Sequence, residues 1–444
     1  MSNVVVGLLG ILLLLTLILM GKRVGLAMGL VGFIGVWYMK SFNVALGVFQ
    51  NVPFATFNSE SLSVIPLFTL MGVICAYAGI SQDLFAFAYK LVSRMNGGLA
   101  VATEIACGLF AAICGSSAAT VASMGRICLP EMDRFNYKRT LTCGSISAGG
   151  TLGILIPPSV AFMLYAINAD VGVGKMFIAG IIPGILLCIC LALTVVVLCA
   201  LDKTAGPKGP KFTAKERIIA AKGVFPIIVL FLLVFGGIIL GWCSVTEGAA
   251  VGAAGALVFM IIRRKFTIKN IVAALTEAAE TTAMLFIIVA CANVLANFLS
   301  LTGLPRAAAS FAASLDVGPV FVLVGCLLVY SILGCFVEAL PLIILLTPIF
   351  LPIIKSVDFS GAGFPAGDSV TIWFGVLIVM VTSLALVTPP VGMNCYVMSS
   401  VAKDTPLSTI FRGTLPFILT LFLFTVFIIA VPSISTWLPH VLMG

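Results

Sequence analysis

Continuous apolar runs, each near 20 residues and separated by short charged stretches, dominate this 444-residue chain. A helix needs about 20 apolar residues to cross the hydrocarbon core of a bilayer, where the backbone must satisfy its own hydrogen bonds. The runs therefore specify an all-α polytopic membrane protein. They do not alternate with a period of two, which excludes an outer-membrane barrel. The chain is 61% hydrophobic and 9% charged, against about 45–50% and 25% for water-soluble domains, so lipid covers much of its surface.

Apolar runs bounded by charge predict ten crossings, at 4–20, 24–39, 61–80, 141–167, 176–200, 218–240, 244–262, 282–301, 370–400 and 412–432. The start, Met1-Ser2-Asn3-Val4, has no basic region or cleavage pattern, so the first run is expected to stay as a helix. Two further segments, 99–129 and 318–354, do not suit a simple crossing. The first would be about 46 Å long as one helix, too long for one span and short for two. Gly115-Ser116-Ser117 divides it near the middle, and both flanks are basic. A re-entrant helical hairpin fits, with its tip inside the bundle, because irregular backbone at membrane depth must be buried in protein or line a watery cavity. The second divides similarly around Gly334–Glu338.

Each hairpin returns the chain to its starting side, so the parity of the crossings is fixed. With an external N-terminus, nineteen of the 24 Lys and Arg residues fall in inside loops, and only Lys40, Lys175, Arg306 and Lys355 fall outside. The positive-inside rule supports that orientation, with both termini on the outer, periplasmic face. It also explains a net charge of +8 without a nucleic-acid partner. The thirteen cysteines lie almost entirely within apolar runs without metal-ligand spacing, so neither a disulfide nor a metal cluster is expected.

After each hairpin comes an apolar segment broken by a double proline. One is Gly149-Gly150-Thr151-Leu152-Gly153-Ile154-Leu155-Ile156-Pro157-Pro158, the other Val387-Thr388-Pro389-Pro390-Val391-Gly392-Met393-Asn394. Hairpin followed by broken helix thus occurs twice in opposite orientation, the inverted repeat whose midplane forms binding sites in secondary transporters. The expected organisation is an N-terminal scaffold (1–80); a first repeat (81–200) with a surface arm at 83–95; a cytoplasmic linker (201–217); scaffold helices and a second arm at 268–280 (218–301); a second repeat (302–411); and a C-terminal helix (412–444).

Proline removes a backbone donor and clashes with the preceding turn, so both double prolines should free carbonyl oxygens. With the hydroxyls of Ser116, Ser117, Thr151 and Thr388, these make oxygen-only clusters suited to a hard monovalent cation such as Na⁺. A helix kink re-satisfied by Ser or Thr would account for one proline; two paired breaks beside two hairpins favour a site. Ionisable residues within the apolar runs are Glu104, Arg126, Glu247 and Glu338. Arg126 either meets an anionic substrate or pairs with Glu104, Glu338 abuts the second break, and Glu247 begins a small-residue packing run. Asn394 either binds substrate or caps the restarted helix. Ser116 and Ser117 also raise the alternative of a membrane-embedded serine enzyme, but the sole histidine is His440, five residues from the end. No nucleotide-binding loop, zinc-protease motif or dinucleotide fingerprint is present, so any uphill transport draws on an ion gradient or another subunit.

Ile65-Pro66-Leu67-Phe68, Gly115-Ser116-Ser117-Ala118-Ala119-Thr120, the run Gly149–Ser159, Thr246-Glu247-Gly248-Ala249-Ala250 and Thr388-Pro389-Pro390-Val391-Gly392-Met393-Asn394 resemble the large membrane subunit of the tripartite ATP-independent periplasmic (TRAP) transporters. The resemblance implies a protein of the bacterial inner membrane that is not an enzyme. It implies Na⁺-coupled import of an organic acid, such as a C4-dicarboxylate or sialic acid, by an elevator mechanism. The implied partners are a periplasmic substrate-binding protein and a small four-helix membrane subunit, here a separate chain. Carried over by motif, one Na⁺ site involves Ser116, Ser117, Gly149, Thr151 and Gly153, and the other Gly334, Val337, Thr388 and Met393. Ser159, Arg126, Glu338 and Asn394 are the candidate substrate contacts, Arg126 standing where the family pattern leads one to expect a small or neutral residue. The alternative within transport is a stand-alone Na⁺/carboxylate symporter.

Overall fold

The computed structural model describes residues 2–314, 317–359, 364–365 and 367–443. The expected second repeat includes positions 315–316, 360–363 and 366, and the two terminal segments include Met1 and Gly444, all of which lie outside the described residues. The chain opens with α1 (Asn3–Leu19), α2 (Val24–Met39), α3 (Phe42–Phe57) and, after a 3-10 turn at Glu60–Ser63, α4 (Val64–Tyr77). Next, α5 (Ile80–Val92) leads into α6 (Gly98–Cys114) and α7 (Ser117–Arg134). The segmented α8 (Arg139–Gly149), α9 (Leu152–Leu155) and α10 (Val160–Ala169) follow, then the long α11 (Val173–Leu201). The second half comprises α12 (Ala214–Ile239), α13 (Val245–Ile262), α14 (Ile268–Thr302), α15 (Leu304–Ser314), α16 (Pro319–Gly334) and α17 (Ala339–Ser356). It ends with the segmented α18 (Asp368–Ala385) and α19 (Met393–Val401), then α20 (Leu407–Ala430) and α21 (Ser433–Met443).

The described residues form helices and loops without strands. Nine helical stretches among them are long and apolar enough to cross a bilayer, against the ten crossings expected. The difference lies at three places: α1 and α2 have only 17 and 16 residues, whereas α17 of the second helix pair reaches 18. A second departure concerns residues 268–280, which form no separate surface helix. They continue without a break into the following span, because Glu277–Thr281 contains neither Gly nor Pro. The resulting α14 has 35 residues, about 52 Å, so one end extends beyond a hydrocarbon core of about 30 Å. Helix α3 was not anticipated either: it carries an internal Pro53, and the Ser41 side chain caps it by accepting from Val44 N at 3.4 Å.

Packing follows a two-fold pattern. Helix α2 lies along α14 as α13 lies along α4; α6 packs on α8 as α16 packs on α18; α7 meets α19 as α17 meets α10. Each hairpin's second arm therefore leans on the far half's broken helix. The broken helices are mostly buried, while α11, α12 and α20 leave apolar side chains such as Leu193, Phe225 and Phe422 exposed. Small residues set the closest contacts, as is usual where helices pack in membranes. A Cβ on Gly144 of α8 would lie 2.2 Å from the Gly413 carbonyl oxygen of α20, so only backbone fits there.

Candidate functional site

The two arms α6 and α7 meet at Gly115, whose φ of +62° lies in the left-handed region that glycine adopts without strain. The chain then turns into Ser116, which caps α7 by accepting from Ala119 N at 3.4 Å. This tip seats against the first broken helix. A Cβ at Gly115 would fall 2.5 Å from the Pro158 carbonyl oxygen, and one at Gly153 would fall 2.5 Å from that of Ser116. Glycine at both positions lets two stretches of backbone approach at van der Waals distance, which brings Ser116, Ser117, Gly149, Thr151 and Gly153 into one neighbourhood. The Thr151 hydroxyl donates to Ala148 O at 2.6 Å and that of Thr120 to Ser116 O at 2.8 Å. These are oxygen groups whose remaining lone pairs suit a hard cation.

Asn394 joins the two halves. Fully buried at the start of α19, it accepts from the Ser117 hydroxyl at 2.9 Å through Oδ1 and donates to Ser147 O at 3.0 Å through Nδ2. Its backbone N–H donates to Leu386 O at 3.0 Å, across the second break. One amide thus ties together the first hairpin's tip, the first broken helix and the second broken helix. Its side chain bridges segments rather than capping its own helix, because α19 starts one residue earlier, after Gly392.

The second group assembles in the same way. Gly334 ends α16 where a Cβ would meet Ala385 at 2.7 Å, just before the break in α18–α19. Val337 is buried in the turn between the arms, and its N–H donates to Leu333 O at 2.9 Å. The Thr388 hydroxyl donates to Leu384 O at 2.7 Å, and Met393 is the first residue of α19. Glu338 precedes α17, where the helix N-terminus favours a negative charge. Both double prolines, Pro157-Pro158 and Pro389-Pro390, contain a cis bond.

A cavity of about 1160 Å³ opens beside these groups. Of the residues singled out from sequence, Ser116, Ser117, Arg126, Glu338, Met393 and Asn394 line it. Ser159 instead caps α10: its buried hydroxyl accepts from Phe162 N at 3.3 Å and donates to Ile154 O. Arg126 lies nine residues beyond Ser117 on α7, about 13 Å along the helix, so it faces the cavity away from the hairpin tip. It does not pair with Glu104. That carboxyl is fully buried, lies against the backbone of Gly149, and has no hydrogen-bond partner on either oxygen among the described residues. Glu247 closes a capping box with Ser244 at the start of α13, which restrains α13 and leaves it outside the site.

Some cavity features carried no signal in the sequence. The Tyr77 hydroxyl donates to Glu277 at 3.1 Å and Arg263 pairs with Asp83 at 2.5 Å, contacts spanning about 180 to 200 residues. The Ser147 carbonyl that holds Asn394 belongs to an unremarkable helical stretch. Among the described residues, no three His, Cys, Asp or Glu side chains cluster as a metal site. Ser117 has an amide as its hydrogen-bond partner, which gives the hydroxyl no base.

The family described as the tripartite ATP-independent periplasmic transporter, DctM component, matches residues 11–434. The C4-dicarboxylate TRAP transporter large permease protein DctM of Pseudomonas aeruginosa is 34% identical over 388 residues, 87% of this chain and 88% of the relative. The sialic acid TRAP transporter large permease protein SiaM of Vibrio cholerae is 29% identical, covering 86% and 87%. Among solved structures, the YdaH transporter of Alcanivorax borkumensis superposes with a TM-score of 0.61 at 15% identity, covering 89% of both chains. That likeness is one of fold.

Proposed function

The chain belongs to the TRAP transporter family as a DctM component, a large membrane permease, and on that premise we propose that it imports an organic acid by symport with Na⁺. The acid is a C4-dicarboxylate, sialic acid or a similar carboxylate, handed over by a periplasmic binding protein. A small four-helix membrane subunit completes the assembly in the bacterial inner membrane. The excess of Lys and Arg in alternate loops supports placing both termini in the periplasm.

The observation that carries this reading is the Ser117–Asn394–Ser147 bridge. Ser117 directs its proton toward Asn394, which leaves its lone pairs for a cation lodged between the hairpin tip and the first break. Such a cation holds the tip and both broken helices as one body. In the elevator mechanism that body, formed by α6–α10 and α16–α19, slides against a scaffold containing α2, α4, α13 and α14. Arg126 offers its guanidinium to the substrate carboxylate inside the cavity. Loss of the cation loosens the bridge, so ion and acid leave together.

The test is uptake into vesicles containing this chain with its small subunit and binding protein. Import should require inward Na⁺ and both partners, without ATP. Uptake indifferent to Na⁺ rejects the coupling, and uptake by this chain alone supports a stand-alone symporter.

A further inference from the structure

Helices α5 and α12 pack together with opposed directions, so that Asp83 lies by Gly223 while Lys90 comes near Glu216. The chain between α11 and α12 folds over the end of this seam. There Gly209 N donates to Ser93 O at 2.8 Å, and Lys90 Nζ sits 5.8 Å from the centre of the Phe212 ring. The seam holds three buried polar atoms that lack any partner among the described residues: the Tyr89 hydroxyl, the Ser93 hydroxyl and Arg217 Nε. Ser93 is fully buried, and a Cβ at Gly209 would lie 2.6 Å from the Tyr89 hydroxyl oxygen and 3.1 Å from the Ser93 carbonyl oxygen, so both residues pack against Gly209. All three can donate, and donors left without acceptors in a buried place are costly.

Positive charge surrounds them. Lys90, Lys211 and Lys215 form no salt bridge with any described residue, and the seam's own carboxylates are engaged elsewhere: Asp83 pairs with Arg263 at 2.5 Å, and Glu216 accepts from the Thr213 backbone and hydroxyl at 2.7 and 2.8 Å. Immediately outside lie exposed apolar side chains: Leu91 at the end of α5, Met95 just beyond it, and Ile218 and Ile219 on α12 at 63% and 55% exposure. Lys215, Ile219 and Lys222 recur at helical spacing, an exposed isoleucine with a lysine about one turn to either side, a pattern that suits a helix seated at the lipid headgroup boundary.

We propose that this seam binds the phosphate of an anionic phospholipid, with the acyl chains lying over Leu91, Ile218 and Ile219. Unsatisfied donors, unpaired lysines and exposed apolar surface meet at one place, and a lipid with a negative headgroup complements all three. Lysines near a membrane surface each change anionic-lipid affinity by about a factor of five, so removing three should weaken binding on the order of 100-fold.

The test is native mass spectrometry of the full chain exchanged into micelles carrying either phosphatidylglycerol or phosphatidylcholine. The wild type should retain phosphatidylglycerol in preference. The triple variant Lys90→Gln, Lys211→Gln, Lys215→Gln should lose it, and a triple Lys→Arg variant at those positions should keep it. A control triple, Lys40→Gln, Lys175→Gln, Arg306→Gln, removes the same charge elsewhere and should behave as wild type. Equal retention of the two lipids overturns the proposal, as does equal loss in the control. Inorganic phosphate that displaces phosphatidylglycerol at millimolar concentration would show a free-anion site and overturn the lipid assignment. None of these readouts depends on transport.

Discussion

Replacing Asn394 by alanine removes two hydrogen bonds at once, that from the Ser117 hydroxyl at 2.9 Å and that to Ser147 O at 3.0 Å. Both partners are buried and each loses a partner. A net value of about 0.5–1.5 kcal/mol per bond puts the total near 1–3 kcal/mol. Hydrogen bonds between membrane helices average about 0.6 kcal/mol in double-mutant cycles, which favours the lower half of that range. On the proposed Na⁺-coupled reading, the bridge orients the lone pairs of the Ser117 hydroxyl toward the cation, and without it the hydroxyl rotates freely. A loss of about 1.4 kcal/mol in cation binding corresponds to a tenfold rise in half-saturating Na⁺. The assay is Na⁺-dependent thermal stabilisation of the purified chain, measured for Asn394→Ala, Ser117→Ala and the double variant. The two single effects should not add, because each variant breaks the same bond; a coupling of about 0.6–1.5 kcal/mol is expected. Full additivity, or a Na⁺ titration of Asn394→Ala superposing on wild type, refutes the reasoning.

Further outcomes follow from the packing and the charges. Gly144→Ala puts a methyl 2.2 Å from the Gly413 carbonyl oxygen, and should destabilise by about 1–3 kcal/mol or more, read as loss of monodisperse protein and a lower Tm. Glu104→Met replaces a buried carboxyl that has no hydrogen-bond partner among the described residues by an apolar side chain of similar length; thermal unfolding should show equal or higher stability, and a large loss would mean that the carboxyl is held by a ligand. Arg126→Gln should raise the KM for the imported acid about tenfold or more while leaving Na⁺-dependent stabilisation unchanged, since the guanidinium lies away from the hairpin tip. At the start of the α11–α12 connection, the hydrogen bond from Lys138, reinforced by Thr204, holds the Asp202 carboxyl down at about 2. That is below its unfolded value of about 3.9, so its stabilising contribution is present above pH 4 and is lost as pH falls from about 4 toward 2. The fall in Tm between pH 5 and pH 3 should therefore be smaller for Asp202→Asn than for the wild type.

The membrane class, the two helix pairs and the two broken helices were legible because each is a local property of the chain. Apolar length decides what can cross a bilayer, and Gly115-Ser116-Ser117, Pro157-Pro158 and Pro389-Pro390 interrupt helices by their own stereochemistry. Local pattern did not disclose that α14 runs unbroken through residues 268–302, since a polar stretch at a helix end resembles a surface helix until neighbours are in place. Nor did it disclose α3, which an internal proline disguised. Tertiary structure alone decided that Asn394 bridges three segments, that Glu104 faces Gly149 rather than Arg126, and that Ser159 serves as a cap. Those outcomes depend on which helix faces meet across 247 or more residues of chain in the case of Asn394, where backbone contact at glycine fixes the approach. A sequence fixes where its own helices must break, and only the packed bundle fixes what each break is pressed against.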